Sequence, residues 1–431
     1  MIDLKDFREH LELYQRAAKL KKVEVDWLAV RRLDGENRQL LQQINDQRAK
    51  LKANSKRKPE PKEIAALKVL GDEVQKLQAC QRETEEKLLA HAMRIPNLPT
   101  DDTPEGEDAR GNVVRREVGE KQKFSFPPKE HWELGAALDL IDSERAGRVS
   151  GSRFVYLKGG LVLLQFALLQ HAFSILTSEK ILAKIIKAAK LNVPSTPFVP
   201  VIPPVFIRPE VMQQMARLEP KEERYYIPSD DLYLVGSAEQ TLGPMHADET
   251  FEEAELPLRY VGYSTSFRRE AGSYGKDTKG LIRVHQFDKI EMESFGTPEA
   301  SVREQDFFVA IQEYLMQSLG LPYRVVQICT GDMGGPDARQ VDLETWLPGQ
   351  GTYRETHTAD LMTDYQSRRL NTRVRRSGGR TELVHMNDAT VFAIGRTLAA
   401  IMENYQQADG SIAIPEVLRP FMGGSAITAA G

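Results

Sequence analysis

Cysteine is nearly absent from the 431 residues, since Cys80 and Cys329 are the only two. They lie far apart and lack the spacing of metal ligands, which excludes a disulfide framework and a cysteine-rich zinc site. Long hydrophobic runs are missing too. The most apolar stretch, about 160–175, contains polar side chains and is too short to span a bilayer. Because the start also lacks a signal-peptide pattern, we expect a cytoplasmic protein without a membrane segment.

The chain lacks a strong excess of either charge. Lys and Arg number 58 against 62 Asp and Glu, so contact with nucleic acid requires a local basic patch. Phosphate-cradling glycine loops are missing as well, because the sequence has no GxxxxGK(S/T) motif and no GxGxxG motif after a predicted strand. If the chain binds a nucleotide, arginines and a metal ion must therefore hold the phosphates.

What is present begins with two heptad patterns. The first repeats apolar residues at 33, 40, 44 and 51, with Asn37 and Gln47 in the remaining seam positions. The second does so at 67, 70, 74, 77 and 88, with Gln81 and Thr84 between them. Such spacing is typical of a coiled-coil seam, and the prolines at 59 and 61 interrupt it. We predict an antiparallel helical hairpin over about 27–93, ~40 Å long.

The tip of the predicted hairpin is basic. Residues 48–62 contain seven Lys or Arg and a single acid, Glu60. Taken alone, this charge is typical of a solvated surface. The alternative is an arm that grips a phosphate backbone. The residues that would do so are Arg48, Lys50, Lys52, Lys56, Arg57 and Lys58.

The remainder has the pattern of an α+β fold. Turn-formers and acids mark a linker from about 94, and we place the domain boundary after residue 110, giving domains 1–110 and 111–431. Helical patterns at 161–176, 301–319 and 393–406 alternate with strand-like runs at 256–263, 323–328 and 340–347. Strands joined by short turns predict a central antiparallel sheet flanked by helices.

The segment with the strongest chemical signal runs from Ser266 to Glu291. Its arginines, glycine-rich loop and return strand with an aromatic and an acid predict a nucleotide platform, because the arginine fork binds phosphate oxygens in pairs. The segment resembles motif 2 of class II aminoacyl-tRNA synthetases in its seryl form. Residues 201–204 resemble motif 1, and residues 393–406 resemble motif 3. The resemblance covers essentially the whole chain, including the N-terminal arm.

The resemblance to seryl-tRNA synthetases implies a tRNA-binding arm, a class II catalytic domain and these ligands. Arg268, Glu355 and Arg396 would be catalytic, and Glu355 and Thr358 would bind Mg²⁺. The implied ATP contacts are Arg268, Arg269, Glu270, Val284, Phe287, Glu355, Thr356, His357, Thr358 and Arg396. The implied serine contacts are Ser237, Ala238, Glu239, Arg268, Glu291 and Thr390. An isolated Glu is otherwise most often a surface acid.

The same resemblance implies serine activation with ATP, transfer to tRNA(Ser), and a homodimer. Whether tRNA(Sec) is charged as well stays open. Three departures from the family pattern are visible: Ser237 replaces a usual threonine, Asp388 stands where asparagine is expected, and 358–361 differ from the usual Ser-Cys-Ser-Asn. Two alternatives are a carrier-protein aminoacyl ligase, which would lack the arm, and a non-catalytic RNA-binding paralogue, which would lose Arg268, Glu355 or Arg396.

Overall fold

A computed structural model of the chain describes residues 1–54, 61–272 and 279–428, with side chains throughout except at 54 and 61–63. The chain divides into two compact units, Met1–Leu98 and Pro99–Gly431. The domain boundary expected after residue 110 stays a prediction.

The first unit is helical. Two short helices, α1 (Leu4–Glu9) and α2 (Leu11–Leu20), precede the long helices α3 (Trp27–Asn54) and α4 (Pro61–Ala92). The carboxylate of Asp3 caps α1 by accepting the backbone N–H of Lys5 at 2.7 Å. The helices α3 and α4 pack against each other along their length. The coiled-coil prediction is therefore confirmed.

The seam between α3 and α4 follows the predicted heptads. Its buried apolar residues are Leu33, Ile44, Val74 and Leu88. Between them, the amide of Gln81 donates a hydrogen bond to Oδ1 of Asn37 at 3.0 Å. A polar pair inside an apolar seam fixes the register, because a slipped hairpin would bury both amides without partners.

The basic tip is described in part. Arg48, Lys50 and Lys52 are exposed near the end of α3. The other predicted RNA contacts, Lys56, Arg57 and Lys58, and the turn itself lie outside the described residues.

The second unit is built on an eight-stranded sheet. Its strands are β1 (Val113–Val118), β2 (Val199–Val201), β3 (Leu258–Phe267), β4 (Gln286–Gly296), β5 (Tyr323–Gln327), β6 (Arg339–Leu347), β7 (Thr352–Thr363) and β8 (His385–Ala393). They are ordered β1-β5-β6-β7-β8-β4-β3-β2. All neighbours are antiparallel except β2, which runs parallel to β3 at the edge. The predicted antiparallel sheet is confirmed.

Helices cover one face of this sheet. The helices of the second unit are α5 (His131–Ala137), α6 (Ser143–Ser150), α7 (Gly160–Leu176), α8 (Glu179–Ala189), α9 (Pro209–Gln214), α10 (Glu239–Leu242), α11 (Ser301–Ser318), α12 (Ser367–Leu370), α13 (Ile394–Asn404) and α14 (Arg419–Met422). Ile290 and Met292 of β4 join residues of α7, α11 and α13 in the main core. Because strand residues alternate between faces, Phe287, Lys289 and Glu291 point the other way.

Smaller sheets complete this unit. One consists of Thr250–Glu252, Arg373–Arg375 and Thr381–Leu383, and another of Phe206–Ile207, Tyr226–Ile227 and Leu232–Leu234. Two-stranded pairs are formed by Ile141–Asp142 with Tyr156–Leu157 and by Ile412–Ala413 with Ala426–Ile427.

Within the described ranges, no single helix has both the length and the apolar composition to cross a bilayer. The pair α7 and α8, bent by 76°, meets that test only when taken together. Most of α7 is buried against the sheet.

Candidate active site

A cavity of about 530 Å³ opens over the face of the sheet that the helices leave uncovered. Ten of the fifteen residues predicted for ATP and serine line it: Glu239, Arg268, Glu270, Val284, Phe287, Glu355, Thr356, Thr358, Thr390 and Arg396. They come from the strands β4, β7 and β8, from the helices α10 and α13, and from the connection between β3 and β4. The fold thus brings together residues up to 157 positions apart.

At one end of the cavity, arginines face an aromatic ring and an acid. The guanidinium of Arg268 lies 5.4 Å from the ring centroid of Phe287, and its Nε donates to the carbonyl of Gly236 at 3.1 Å. Nη1 of Arg396 donates to the carboxylate of Glu355 at 2.8 Å. Planar cations beside an open aromatic face suit a purine ring and its phosphates.

The loop that follows Arg268 is held by two acids, of which the sequence predicted Glu270 but not Glu223. Glu223 accepts the backbone N–H groups of Ala271 and Gly272 at 3.2 and 2.9 Å. The carboxylate of Glu270 accepts Nη1 of Arg283 at 2.6 Å. These bonds fix both borders of the loop, of which 273–278 lie outside the described residues.

At the other end, a polar network surrounds Glu291. Its Oε1 accepts the hydroxyls of Ser237 at 3.0 Å and Thr390 at 3.3 Å, and it forms an ion pair with Lys289. Lys289 also donates to the Ser237 hydroxyl at 3.1 Å. Burial lowers the pKa of Lys289 to about 8. Alternation along β4 could have revealed Lys289, because it shares a face with Phe287 and Glu291.

Beneath this network, three acids lie side by side on adjacent strands. Asp388 of β8 is paired in register with Glu293 of β4 on one side and with Asp360 of β7 on the other. All three are buried, and Arg217 reaches Asp388 with an N–O distance of 3.3 Å. Burial raises the pKa of Asp388 to about 7. The charge of Arg217 opposes this rise, and the negative charge of Glu239 contributes to it. Asp388 and Asp360 belong to two of the three departures from the family pattern, and they therefore lie in one buried row.

Five predicted residues do not line the cavity. Ser237, Ala238 and Glu291 are buried beside residues that line the cavity. Glu239 follows Ala238 in the chain, and the hydroxyls of Ser237 and Thr390 both donate to Glu291. Arg269 turns toward the ring of Tyr225, with 5.8 Å from guanidinium to centroid. His357 faces the helix side of the sheet, where it bonds Thr356 at 2.8 Å and packs on Phe392. Burial lowers the pKa of His357 to about 3, which keeps the ring neutral.

A buried relay supports the turn segment that precedes β4 and borders the nucleotide end. The backbone N–H of Leu281 donates to Nε2 of His131 at 3.1 Å, so the ring proton is on Nδ1 and donates to Glu403 at 2.9 Å. Glu403 belongs to α13, the helix that also carries Arg396. A side chain at Gly280, where φ is +77°, would place its Cβ 2.1 Å from Nε2 of His131. Neither His131 nor Glu403 carries a recognisable sequence signal, because they lie 272 residues apart.

The metal prediction rests on two oxygen donors. Glu355 and Thr358 both line the cavity, and the described ranges contain no group of three or more His, Cys, Asp or Glu that could hold a metal ion. Mg²⁺ is commonly held by one or two protein oxygens, with water and substrate phosphates completing the shell. The donor set fits a partial site of that kind.

Comparison with known proteins agrees with this geometry. The seryl-tRNA synthetase N-terminal domain family matches residues 1–99, and the class II tRNA synthetase core domain family (G, H, P, S and T) matches residues 224–405. A serine–tRNA ligase of Fervidobacterium nodosum is 39% identical, with 98% of each chain covered. One of Clavibacter michiganensis is 40% identical, covering 98% of this chain and 97% of the relative.

Solved structures give the same result. The seryl-tRNA synthetase of Pyrococcus horikoshii, complexed with ATP, superposes with a TM-score of 0.87 at 34% identity over all of both chains. The cytoplasmic serine–tRNA ligase of Naegleria fowleri, in complex with AMP, has a TM-score of 0.82 at 29% identity, covering 97% of this chain and 96% of that one. The chain belongs to the seryl-tRNA synthetase family of class II aminoacyl-tRNA synthetases.

Proposed function

We propose that this chain is a serine–tRNA ligase, which activates L-serine with ATP and transfers the seryl group to the 3′-terminal adenosine of tRNA(Ser). The observation that carries the proposal is the convergence of Arg268, Phe287, Glu355 and Arg396 on one cavity, beside the polar network around Glu291. A non-catalytic paralogue would not need these groups together, and a carrier-protein ligase would not need the hairpin of α3 and α4.

In the nucleotide end, Phe287 stacks on one face of adenine and Arg396 covers the other. Arg268 contacts both the α-phosphate and the serine carboxylate. Its charge is fixed in place by the bond to Gly236 before substrates arrive, so little reorganisation is needed when negative charge develops on the phosphorus oxygens.

Glu355 and Thr358 would hold Mg²⁺ through their side-chain oxygens. The bound ion would supply neutralisation of the charge on the pyrophosphate leaving group. Glu355 is held toward the cavity by Arg396, which also donates to the Glu355 carbonyl at 3.0 Å. Arg396 thus orients the acid toward the cavity.

The serine end rejects amino acids without a hydroxyl. Glu291 and Thr390 meet the hydroxyl of serine, and Glu239 meets its ammonium. Alanine would leave buried polar groups unpaired, which costs far more affinity than the loss of a methyl contact.

No side-chain nucleophile is needed. The serine carboxylate attacks the α-phosphorus in line and releases pyrophosphate, giving seryl-adenylate. The terminal ribose hydroxyl of tRNA then attacks the adenylate carbonyl and releases AMP. Positioning and charge neutralisation supply the rate in both steps.

Two partners complete the proposal. The hairpin of α3 and α4 contacts tRNA with its basic tip, where Arg48, Lys50 and Lys52 are exposed. A second copy of the chain covers the edge strand β2, since Val199 is 53% exposed and Ile202 is 83% exposed. Exposed apolar residues on an unpaired sheet edge are a feature of interfaces.

The substrate assignment is tested by pyrophosphate exchange. Exchange is measured with serine, threonine, alanine and glycine in turn, and we expect serine to exceed each of the others by at least about 100-fold. Exchange with threonine but not with serine would contradict the assignment of serine as the substrate.

The relay through His131 predicts a selective effect on ATP. His131→Asn keeps a donor for Glu403 but removes the acceptor of the Leu281 N–H, whereas His131→Gln can place its amide oxygen near the position of Nε2. A buried N–H without a partner costs about 1–3 kcal/mol. We therefore expect the KM for ATP to rise about tenfold in His131→Asn and less in His131→Gln.

Steady-state exchange kinetics at varied ATP and at varied serine check this prediction. The serine KM should change less than twofold or so, because the bond lies at the nucleotide end. Equal ATP KM values in the two variants would show that the acceptor of the Leu281 N–H does not affect ATP binding.

A further inference from the structure

We infer that Asp388 is a positioning residue that holds Arg217 away from Glu239, which keeps the Glu239 carboxylate open for the ammonium group of the amino acid. The inference rests on the proposed function, because it assumes that Glu239 meets that ammonium. The inference assigns a role to Arg217 and to Asp388, which stands where the family pattern has asparagine.

The geometry places Arg217 between two carboxylates. Its Nη2 lies 3.3 Å from Oδ2 of Asp388, within bonding distance. Its Nε lies 4.0 Å from Oε1 of Glu239, which is too long for a hydrogen bond. All three residues line the cavity.

The gap between Arg217 and Glu239 leaves two polar atoms unsatisfied. Nε of Arg217 and Oε2 of Glu239 are both buried and have no hydrogen-bond partner among the described residues. Glu239 is only 7% exposed. A buried donor and a buried acceptor so close together would normally pair, because unpaired polar groups are costly. Something must therefore hold the guanidinium back.

Asp388, the central member of the buried row of acids, supplies that force. Glu293, Asp388 and Asp360 follow one another across three strands, and both carboxylate oxygens of Glu293 have no partner among the described residues. Asp388 is the member of this row that bonds Arg217. The ion pair with Asp388 holds the guanidinium toward the sheet and away from Glu239.

The consequence concerns serine and not ATP. If Arg217 swung to Glu239, the incoming ammonium would have to displace a charge-assisted bond. Serine affinity would fall, whereas the nucleotide end, built from Arg268, Phe287 and Arg396, would be unaffected.

The experiment is a mutant cycle read by pyrophosphate exchange. Asp388→Ala removes the bonding partner of Arg217, and Asp388→Asn keeps a neutral acceptor. We expect the serine KM to rise at least about tenfold in Asp388→Ala and by a smaller factor in Asp388→Asn. The ATP KM should stay within about twofold of the unsubstituted protein.

The rescue variant combines Asp388→Ala with Arg217→Gln, which removes the charge that would otherwise block Glu239. We expect its serine KM to return to within about threefold of the unsubstituted protein. Thermal unfolding of every variant separates folding defects from binding defects, because a merely structural role would lower stability and change both KM values.

Two failures are distinguishable. Normal exchange by the unsubstituted protein, with a double variant that binds serine as poorly as Asp388→Ala, would overturn this inference alone. Equal rises in the serine and ATP KM values would do the same. Absence of serine-dependent exchange in the unsubstituted protein would overturn the proposed function, and this inference with it.

Discussion

Replacing Arg268 with alanine is expected to reduce serine-dependent pyrophosphate exchange by about 10³-fold. The guanidinium lies at the junction of the two ends of the cavity, 5.4 Å from the ring of Phe287 and bonded to the carbonyl of Gly236. No other described cation has both contacts. The loss should appear mainly in kcat, because the charge it stabilises develops during the attack on phosphorus.

Two further variants sharpen the Arg268 experiment. Arg268→Lys keeps the charge but loses the planar fork, so we expect it to recover only a small part of the activity. Arg380→Ala serves as the matched control, since this side chain is 81% exposed and lies outside the cavity. An Arg268→Ala protein with activity within tenfold or so of the unsubstituted chain would contradict the proposed phosphate contact.

Deleting residues 34–92 is expected to separate the two half-reactions. Serine activation should stay largely intact, because every cavity-lining residue lies in the unit Pro99–Gly431. Aminoacylation of tRNA should fall by roughly 10³-fold or more, because the deletion removes six basic residues proposed to contact phosphates. A short Gly-Ser linker between Leu33 and Met93 closes the gap. Pyrophosphate exchange and tRNA charging are measured on the same preparation.

A charge-reversal variant controls for damage caused by the deletion. Changing Arg48, Lys50 and Lys52 to Glu keeps the hairpin, since these side chains are exposed on α3. We expect a raised KM for tRNA, a shallower salt dependence and unchanged exchange. Equal loss of both reactions in either variant would count against the arm as the tRNA contact.

Much of the architecture could be predicted because its signals are local. The heptad spacing gave the helices α3 and α4 directly, and Asn37 and Gln81 stood out as polar residues in an apolar seam before the structure joined them at 3.0 Å. The strands β3, β5 and β6 and the helices α7, α11 and α13 also matched their sequence patterns to within a few residues at most termini. The spacing of apolar residues in a helix involves neighbours only three or four positions away, so it can be recognised in a single sequence.

The side of the sheet to which each side chain points was harder to predict. His357 was expected at the nucleotide, but a register shift in the pairing of β6 with β7, between Leu343 and Glu344, changes which residues of β7 point to the cavity. Glu355 and Thr358 line the cavity while His357 packs on Phe392. A bulge adds one residue to one strand and breaks the simple alternation, and nothing in the sequence marks it.

By itself, the sequence determined the helical hairpin, the antiparallel sheet and the family, because these depend on local periodicity and on one uninterrupted motif. Tertiary structure alone decided that Arg217 meets Asp388, that Asp388 lies between Glu293 and Asp360, and that Glu403 reaches His131. The physical reason is that strand order and register bring together residues tens to hundreds of positions apart. Each of those residues, read alone along the chain, has the appearance of an ordinary surface charge.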